Sequence, residues 1–498
     1  SDVGIAARRF SATGTPIGAE FVANSYQTGA QQDAAVTALA DGGFVISWQS
    51  MGQDGSGYGI YGQRYDAAGT KTGSEFRISD VAAQDQRNAA LAGRLDGGFV
   101  TAWESDGQDG SSIGVYSRVY APTSSAPAIA LGDGKVAVGS TLALPELTVG
   151  MQAATGTLPA GTPRVAAYQF TDQTAGGGYF TLNGVTKASG VAFTVAADQL
   201  HNVKWVGGSA AGTDTVQVQA LDALGNTWGT GDSSTMTTVA IPSNLLVTPE
   251  VRVNSYTSGP QQFADVAVLA DGGHVVVWMS EGQAGPYGAV YGQRYGVDGT
   301  KVGGEFLVVA TGYSGYMPSV SALAGGGFVA VWAAGGLDGS DWGVGGQRFD
   351  ASGAKVGGQF VVNSQTAGGQ WRPDVTGLSN GGFVVVIEDV QSAEISLRLY
   401  GADGQPRGAD YTWVNVATGT GVRETMPAVS ALPGGGYVVT WMGVDSSSEG
   451  IRARIFDANG APVGSEFIVN SYASFGQYTP AIATLVDGSF VISWHTGG

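Results

Sequence analysis

The sequence predicts an all-β fold, a seven-bladed β-propeller closed by N- and C-terminal strands that share one blade, with an inserted β-sandwich domain. Three observations support this prediction: a strand motif occurs seven times, its copies follow at a nearly constant spacing, and that spacing continues across the two chain ends. Four-stranded units that repeat radially form a propeller, and closure removes the exposed sheet edges of an open array.

The repeated motif is a glycine turn followed by a strand that ends, in most copies, with tryptophan. The copies are DGGFVISW (41–48), DGGFVTAW (96–103), DGGHVVVW (271–278), GGGFVAVW (325–332), NGGFVVVI (380–387), GGGYVVTW (434–441) and DGSFVISW (487–494). Between equivalent residues the steps are 55, 175, 54, 55, 54 and 53, and the step from the last copy round to the first is 52. The long step therefore contains an extra segment of about 120 residues, the size of a separate domain.

Each full repeat contains four predicted strands. In the first repeat they are AAVTAL (34–39), FVISW (44–48), IYGQRYD (60–66) and GSEFRI (73–78). β-branched and aromatic residues alternate with polar ones between glycine-rich turns, which is typical of strands.

The two chain ends supply complementary halves of one repeat. The segment GIAARRFSATGTPIGAEF (4–21) has the form of GIYGQRYDAAGTKTGSEF (59–76), which is the second half of a repeat. We therefore expect C-terminal strands at about 481–494 to pair with N-terminal strands at about 4–22. A linear solenoid is the alternative, but nothing in a solenoid requires its ends to complete each other.

The long step sets the domain organisation: propeller at 1–122, insertion at 123–245 and propeller again at 246–498. In the insertion, GYFTLNGVTKASGVAFTV (178–195) has the pattern of a strand, an Asn-Gly turn and a second strand. TDTVQVQALDALGNTWG (213–229) alternates apolar and polar residues ahead of another turn. No helical periodicity occurs, so a small β-sandwich is expected.

Composition excludes several classes of function. The net charge is −18, whereas nucleic-acid binding requires basic patches. The chain has no cysteine, so neither disulfides nor cysteine-ligated metals are possible, and no run of 18 apolar residues predicts a membrane span. The first residues are not signal-like, so any export signal is expected to lie outside this sequence.

The repeat DGGFVISWQSMGQDGSGYGIYGQRYDAAGTKTGSEF (41–76) resembles the repeats of roughly 50 residues in large, type I-secreted RTX-like surface proteins and adhesins of Gram-negative bacteria. The resemblance covers residues 1–120 and 250–498. The insertion resembles the Ig-like or cadherin-like modules of the same proteins. These resemblances imply an extracellular or cell-surface location and a role in adhesion, although the glycine-aspartate nonapeptide of the RTX β-roll is missing.

Two kinds of ligand site are predicted in the loops between second and third strands. Asp54, Asp106, Asp109 and Asp338 could bind Ca²⁺, because carboxylates and the carbonyl groups of a glycine-rich loop are suitable oxygen ligands. A structural role in the turn is the alternative, since most loops offer only one or two carboxylates.

The second predicted site is for a sugar ligand. Tyr58 and Trp342 could stack on the ligand, with Asp54 and Asp338 as hydrogen-bonding partners, because sugar C–H faces pack on rings while hydroxyls bind polar groups. The alternative is that the rings fill gaps between blades.

Other polar residues recur once per repeat and suggest structural roles. The third strands carry Arg9, Arg64, Arg118, Arg294, Arg348, Arg398 and Arg454. Glutamates of the fourth strands are Glu20, Glu75, Glu250, Glu305 and Glu466, and they are expected to pair with these arginines across neighbouring strands. A glutamine also recurs before the first strand, and its side chain is expected to form an inter-blade hydrogen bond. These glutamines are Gln32, Gln86, Gln262, Gln370 and Gln477.

Enzyme motifs are absent from the sequence. It has only three histidines, and no nucleophile elbow, P-loop or zincin motif. We therefore predict no catalytic residues and a non-catalytic extracellular binding or adhesion module that recognises a glycan or a cell-surface protein. The alternatives are a self-associating structural unit of an extracellular layer or filament, and a polysaccharide-active enzyme with a carboxylate pair.

Overall fold

The computed structural model describes residues 4–110, 112–122, 135–137, 141–143, 167–173, 179–182, 185–196, 203–206, 212–221, 227–239, 245–309, 314–414, 423–445, 448–472 and 474–497. Every regular element among them is a β-strand. The chain divides into two compact units, 1–121 with 245–498 and 122–244. In the part of the chain that is described, no helix has both the length and the hydropathy needed to cross a bilayer.

The first unit is a seven-bladed β-propeller, in which each blade is an antiparallel sheet. The blades, numbered along the chain, are blade 1 (31–77), blade 2 (86–122 with 245–252), blade 3 (261–307), blade 4 (316–361), blade 5 (370–413), blade 6 (425–468) and blade 7 (477–496 with 4–22). This confirms the predicted fold class.

Four strands follow one another in each blade. The first strands are Gln31–Ala38, Gln86–Gly93, Gln261–Val268, Tyr316–Ala322, Gln370–Gly377, Thr425–Ala431 and Gln477–Thr484. The second strands are Phe44–Met51, Phe99–Asp106, His274–Gly282, Phe328–Gly335, Phe383–Asp389, Tyr437–Val444 and Phe490–Thr496. The third strands are Tyr58–Tyr65, Ile113–Pro122, Gly285–Tyr295, Trp342–Phe349, Glu394–Tyr400, Glu449–Phe456 and Gly4–Phe10. The fourth strands are Lys71–Arg77, Lys301–Leu307, Lys355–Val361, Pro406–Trp413, Pro462–Ile468 and Pro16–Val22, with Leu245–Val247 and Val251–Arg252 at this place in blade 2.

First strands of neighbouring blades contact each other all the way round the ring, which makes them the innermost strands. The ring closes in blade 7, where Gly4–Phe10 pairs antiparallel with Phe490–Thr496. The rings of Phe10 and Phe490 stack there with centroids 5.4 Å apart. The predicted shared blade is therefore confirmed.

Apolar second strands form the core because each blade packs between two others. Their tryptophans are fully buried, namely Trp48, Trp103, Trp278, Trp332, Trp441 and Trp494. One stacked ring pair joins the second and third strands of each blade, as in Phe44 with Tyr65 at 4.7 Å and Phe328 with Phe349 at 4.6 Å. In blade 3 the pair is His274 with Tyr295.

The second unit contains two sheets in its described residues. One has the strand order Lys135–Ala137, Thr227–Val239, Gly212–Leu221, Ala167–Asp172 and Phe193–Ala196. The other has the order Thr141–Ala143, Val203–Val206, Tyr179–Leu182 and Val185–Thr186. Phe180 of the second sheet contacts Phe170 and Phe193 of the first, each at 5.6 Å between ring centroids. An Ig-like sandwich stays a prediction.

The expected pairing of third-strand arginines with fourth-strand glutamates is not found in blade 1, and in blade 6 the partner of Glu466 is Arg452, two residues before the predicted Arg454. In blade 1 a β-bulge lies between Gly62 and Arg64, so that Arg64 stands opposite Thr72 and forms an ion pair with Asp41. Glu75 instead accepts hydrogen bonds from the backbone and hydroxyl of Ser25, at 2.6 and 2.7 Å. The bulge shifts the register, which a strictly alternating strand pattern does not reveal.

The closing blade predicts a specific weak point. Truncation of residues 1–22 removes the two N-terminal strands, so we expect a lower melting temperature and a broader transition. Phe10→Ala alone should cost about 3–5 kcal/mol, because it opens a cavity against Phe490. Thermal unfolding followed by circular dichroism measures both effects. Removal of residues 1–3 alone is the control, and an unchanged melt of the longer truncation would contradict a closed ring.

His274 predicts an acid-sensitive position in blade 3. Burial and the charge of Arg94 lower its pKa from 6.5 to about 3, and neither ring nitrogen has a hydrogen-bond partner in the described structure. Between pH 6.5 and about 3 the unfolded chain binds a proton here that the folded chain does not, so stability falls as the pH falls.

His274→Phe should therefore raise the free energy of unfolding by about 1–3 kcal/mol at neutral pH, and by more as the pH decreases. Chemical denaturation at a series of pH values measures this difference. The reciprocal change, Phe99→His in blade 2, should destabilise the protein and add acid sensitivity. A pH-independent difference between His274→Phe and the parent protein would contradict the explanation.

Candidate functional site

The two ends of the blades differ in structure. Strand alternation places the tight turns between first and second strands at one end, together with those between third and fourth strands in the blades other than blade 2. The other end, here called the long-loop face, carries the loops between second and third strands, such as 52–57 and 336–341, and the connections between blades, such as 23–30 and 362–369. All sequence-predicted site residues belong to this end.

A buried asparagine joins three elements beneath the long-loop face. Asn363 follows the fourth strand of blade 4, and its Oδ1 accepts a hydrogen bond from the Val344 N–H at 2.7 Å. Its Nδ2 donates to Gln370 Oε1 at 3.0 Å and to Asp338 Oδ2 at 2.8 Å. The third strand of one blade, its loop and the first strand of the next blade are thereby connected.

The same connection recurs around the propeller. At three other junctions the central residue is again an asparagine, namely Asn24, Asn254 or Asn470. Between blades 1 and 2 it is Ser79. The recurring glutamine thus forms the expected inter-blade contact. In blades 1 and 3, however, the buried partner is Gln31 or Gln261, one residue before the predicted Gln32 or Gln262.

Two of the predicted aspartates hydrogen-bond within their own loops, and a third bonds a junction asparagine. Asp54 Oδ1 accepts a hydrogen bond from the Ser56 N–H at 3.2 Å, and Asp338 Oδ1 accepts one from the Ser340 N–H at 3.0 Å. Asp109 Oδ2 accepts one from Asn254 at 3.4 Å. These carboxylates point into the blade junctions, where Asp54 also lies 3.4 Å from Arg77.

Glycines make room for these carboxylates. A Cβ atom on Gly59 would lie 2.7 Å from Asp54 Oδ2, and one on Gly343 would lie 2.8 Å from Asp338 Cγ. A larger side chain at the second residue of either third strand would therefore displace the loop carboxylate.

The four aspartates proposed for calcium do not form one ligand set. They belong to blades 1, 2 and 4, and Asp106 lies at the end of a second strand. Among the described residues, no three histidine, aspartate or glutamate side chains converge. Calcium binding stays a prediction from sequence.

Tyr58 and Trp342 begin the third strands of blades 1 and 4, and the structure does not bring them together. Tyr58 is half-buried, and its hydroxyl donates to Gln32 Oε1 at 3.3 Å. The Arg87 guanidinium covers its ring at 5.4 Å from the centroid. Tyr58 therefore seals the junction of blades 1 and 2, as the gap-filling alternative expects.

Trp342 has a different setting, in a cluster of three half-buried rings. It stacks on Trp371 of blade 5, with centroids 4.1 Å apart and planes 29° apart, and meets the edge of Tyr316 at 5.3 Å. A Cβ atom on Gly369 would lie 2.8 Å from Trp371 Nε1, so glycine admits the indole ring. Tyr316, Trp342 and Trp371 together are the aromatic patch.

Tyr316 and Trp371 occupy equivalent positions in their blades. In every blade the residue that follows this position has a left-handed backbone conformation, with a positive φ. These residues are Asp33 (φ 50°), Asn88 (52°), Phe263 (56°), Met317 (47°), Arg372 (46°), Met426 (54°) and Thr479 (47°). None is glycine, although the conformation costs other residues about 1–2 kcal/mol. Each lies in a β-bulge near the start of an innermost strand. The backbone conformation is therefore the same in all seven blades, whereas the side chain differs from blade to blade.

No family model matches the chain. No curated protein matches it either. Among solved structures it is similar to a protein of unknown function from Dyadobacter fermentans, at 10% identity and a TM-score of 0.40, over 93% of this chain and 94% of that one. It is similar to a PL25 ulvan lyase bound to -[GlcA(1-4)Rha3S]-, at 9% identity and a TM-score of 0.40, over 91% and 89%. It is similar to an α-L-arabinanase of Penicillium chrysogenum complexed with arabinobiose, at 13% identity and a TM-score of 0.36, over 57% and 89%.

The junction asparagine predicts a graded effect of substitution. Asn363→Ala removes the bonds to Val344, Gln370 and Asp338, so we expect a loss of about 2–4 kcal/mol in the free energy of unfolding. Asn363→Ser should cost less, because Ser79 fills this place between blades 1 and 2. Denaturant unfolding measures both variants. Equal losses for alanine and serine would contradict the hydrogen-bonded role.

Proposed function

We propose that the protein is a non-catalytic, extracellular glycan-binding module that holds its ligand on the aromatic patch. One observation carries the proposal: three rings from two blades contact one another on the long-loop face and stay partly exposed. Sugars bind such platforms because their C–H faces pack on rings. The extracellular location rests on the resemblance of the repeats.

Blade packing does not require aromatic residues at these positions. In four other blades the place of Trp342 is filled by Tyr58, Ile113, Glu394 or Glu449. The place of Trp371 is filled elsewhere by Gln32, Arg87, Gln262, Thr425 and Tyr478, besides Tyr316 of the patch itself. Because non-aromatic residues hold these places in several blades, two adjacent tryptophans favour a role in binding.

Asp338, proposed from the sequence as a hydrogen-bonding partner of the ligand, also has a structural role in its loop. Asp338 is engaged by Asn363 and Ser340, so its carboxylate supports the loop that carries Trp342. A loop fixed in this way presents the ring in one orientation, which lowers the entropic cost of binding.

A second candidate function is a self-associating structural unit, and the outer strands favour it. Fourth strands are sheet edges, which can pair with other chains. They expose apolar side chains, namely Ile17, Val22, Val302, Val356, Val361, Val463 and Ile468. Propellers in a layer or filament would contact one another through these edges.

Substitutions in the aromatic patch test the proposed function. Trp342→Ala and Trp371→Ala should each weaken glycan binding by about tenfold or more, because each removes a central stacking surface. Tyr287→Ala is the matched control, since this tyrosine is 71% exposed near the start of the third strand of blade 3. A glycan array selects the ligand, and isothermal titration calorimetry measures its affinity.

Three further results would decide between the alternatives. Concentration-dependent polymers in size-exclusion chromatography, without glycan binding, would replace the proposal by the structural unit. Release of reducing ends or unsaturated products from a bound polysaccharide would contradict a non-catalytic role. Repeating the titrations with millimolar calcium and with a chelator tests the predicted cofactor, and equal affinities and melting temperatures would remove it.

A further inference from the structure

Two arginines lie beside the aromatic patch, at the junction of blades 5 and 6. Arg372 directly follows Trp371 in the first strand of blade 5, and its Nη1 donates to Glu388 Oε2 and to Thr425 Oγ1, each at 3.1 Å. Arg423 contacts the other oxygen of Glu388. Trp371 contacts blade 4 and Arg372 contacts blade 6, so these two consecutive residues lie at the junctions on opposite sides of blade 5.

A buried carboxylate fixes both guanidinium groups. Glu388 is fully buried. Burial alone would raise its pKa, but the hydrogen bond from Thr425 and the charges of Arg372 and Arg423 outweigh burial and lower the pKa below its usual range. Glu388 is therefore ionised at neutral pH and holds two cations in place.

The arginines remain accessible from solvent while Glu388 does not. The side chains of Arg372 and Arg423 are 39% and 53% exposed, whereas that of Glu388 is 0% exposed. A guanidinium group has five N–H donors, so a group held on one side can still bind an anion on its outer side. Two cations on one carboxylate leave a net positive charge on a chain whose total charge is −18.

The neighbouring carboxyl group does not cancel this charge fully. Glu424 lies next to Thr425 in the sequence, and burial raises its pKa to about 7. It is therefore partly protonated at neutral pH.

Most blades have no carboxylate at the place of Glu388. Gln49, Met279, Ala333, Met442 and His495 take this place in five other blades. In blade 2 it is held by Glu104, which accepts a hydrogen bond from the Phe263 N–H at 2.6 Å. Arg372 is the one arginine among the seven left-handed residues of the inner bulges. A buried ion pair is seldom stabilising compared with apolar packing, so its presence here calls for a role other than stability.

We propose that the ligand is an anionic glycan, whose carboxylate or sulfate groups bind Arg372 and Arg423 while a neighbouring sugar ring packs on Trp342 and Trp371. This inference rests on the proposed function and names its ligand class. Guanidinium groups bind carboxylate and sulfate through paired N–H donors, a geometry that neutral hydroxyls do not match.

Matched polysaccharide pairs test the inference. Polygalacturonate is compared with its fully methyl-esterified form, and a sulfated galactan with its desulfated form, by titration calorimetry at two salt concentrations. We expect at least one anionic member to bind about tenfold or more tightly than its neutral partner, with an affinity that decreases as salt increases. The two pairs distinguish a carboxylate from a sulfate ligand.

Arginine variants identify the residues. Arg372→Gln and Arg423→Gln should each reduce the preference for the anionic member severalfold. Arg407→Gln removes the same charge from an exposed position in blade 5 beside its tight turn, and should leave the preference unchanged. The double variant Arg372→Gln with Glu388→Gln removes the buried charge together with its partner, so a loss of preference there, with an unchanged melting temperature, reports on binding.

The outcomes separate the two proposals. Equal affinity for charged and neutral members, with binding still lost in Trp342→Ala, would overturn the anionic ligand and keep glycan binding. A preference that survives in both arginine variants would overturn the assignment of Arg372 and Arg423. Absence of binding to every polysaccharide in the series would overturn both proposals.

Discussion

The pairing of Gly4–Phe10 with Phe490–Thr496 closes the ring, and the rest of the propeller depends on it. With the ring closed, each blade packs between two others, which is why the second strands bury tryptophan and phenylalanine on both faces. Closure also draws the innermost strands together. A Cβ atom on Gly93 would lie 2.0 Å from Ala38 O, and one on Gly377 would lie 2.1 Å from Ala322 O. Small residues in the first strands are a consequence of this convergence.

Apolar packing alone does not fix the loops on the long-loop face. There the junction asparagine and the loop aspartate provide the constraint, as in the contacts of Asn363 with Asp338, Gln370 and Val344. These hydrogen bonds tie the loop of one blade to the first strand of the next blade. Asp338 thus has a structural role in its loop, as the alternative to calcium binding expects.

The sequence predicts the parts of the fold that repeat in residue type. The seven FVISW-like strands, their spacing and the split repeat at 4–21 are enough to predict the ring, because each depends on apolar and glycine patterns. Features that depend on register could not be predicted. In blade 1 Arg64 stands opposite Thr72 rather than Glu75, and the inner bulge carries residues as different as Asp33, Phe263 and Arg372, so it has no residue signature.

The candidate site was predictable only in part, for the same reason. Trp342 was identified because it follows a long loop. Its contacts with Tyr316 and Trp371 depend on the folded structure, because these two residues occupy the position that a glutamine, Gln32, has in the first repeat. Tyr58, at the equivalent position of blade 1, is covered by Arg87 instead. The same backbone position thus serves packing in one blade and exposes a ring in another.

This division between a repeated backbone and varied side chains explains where a binding site can arise. The inner bulge occurs in every blade, and its left-handed residue is of six different types in the seven blades, so the side chain there varies while the backbone of the ring is kept. In blade 5 the bulge directs Trp371 to one junction and Arg372 to the next. A ligand that contacts both side chains would have to extend across the innermost strand of blade 5.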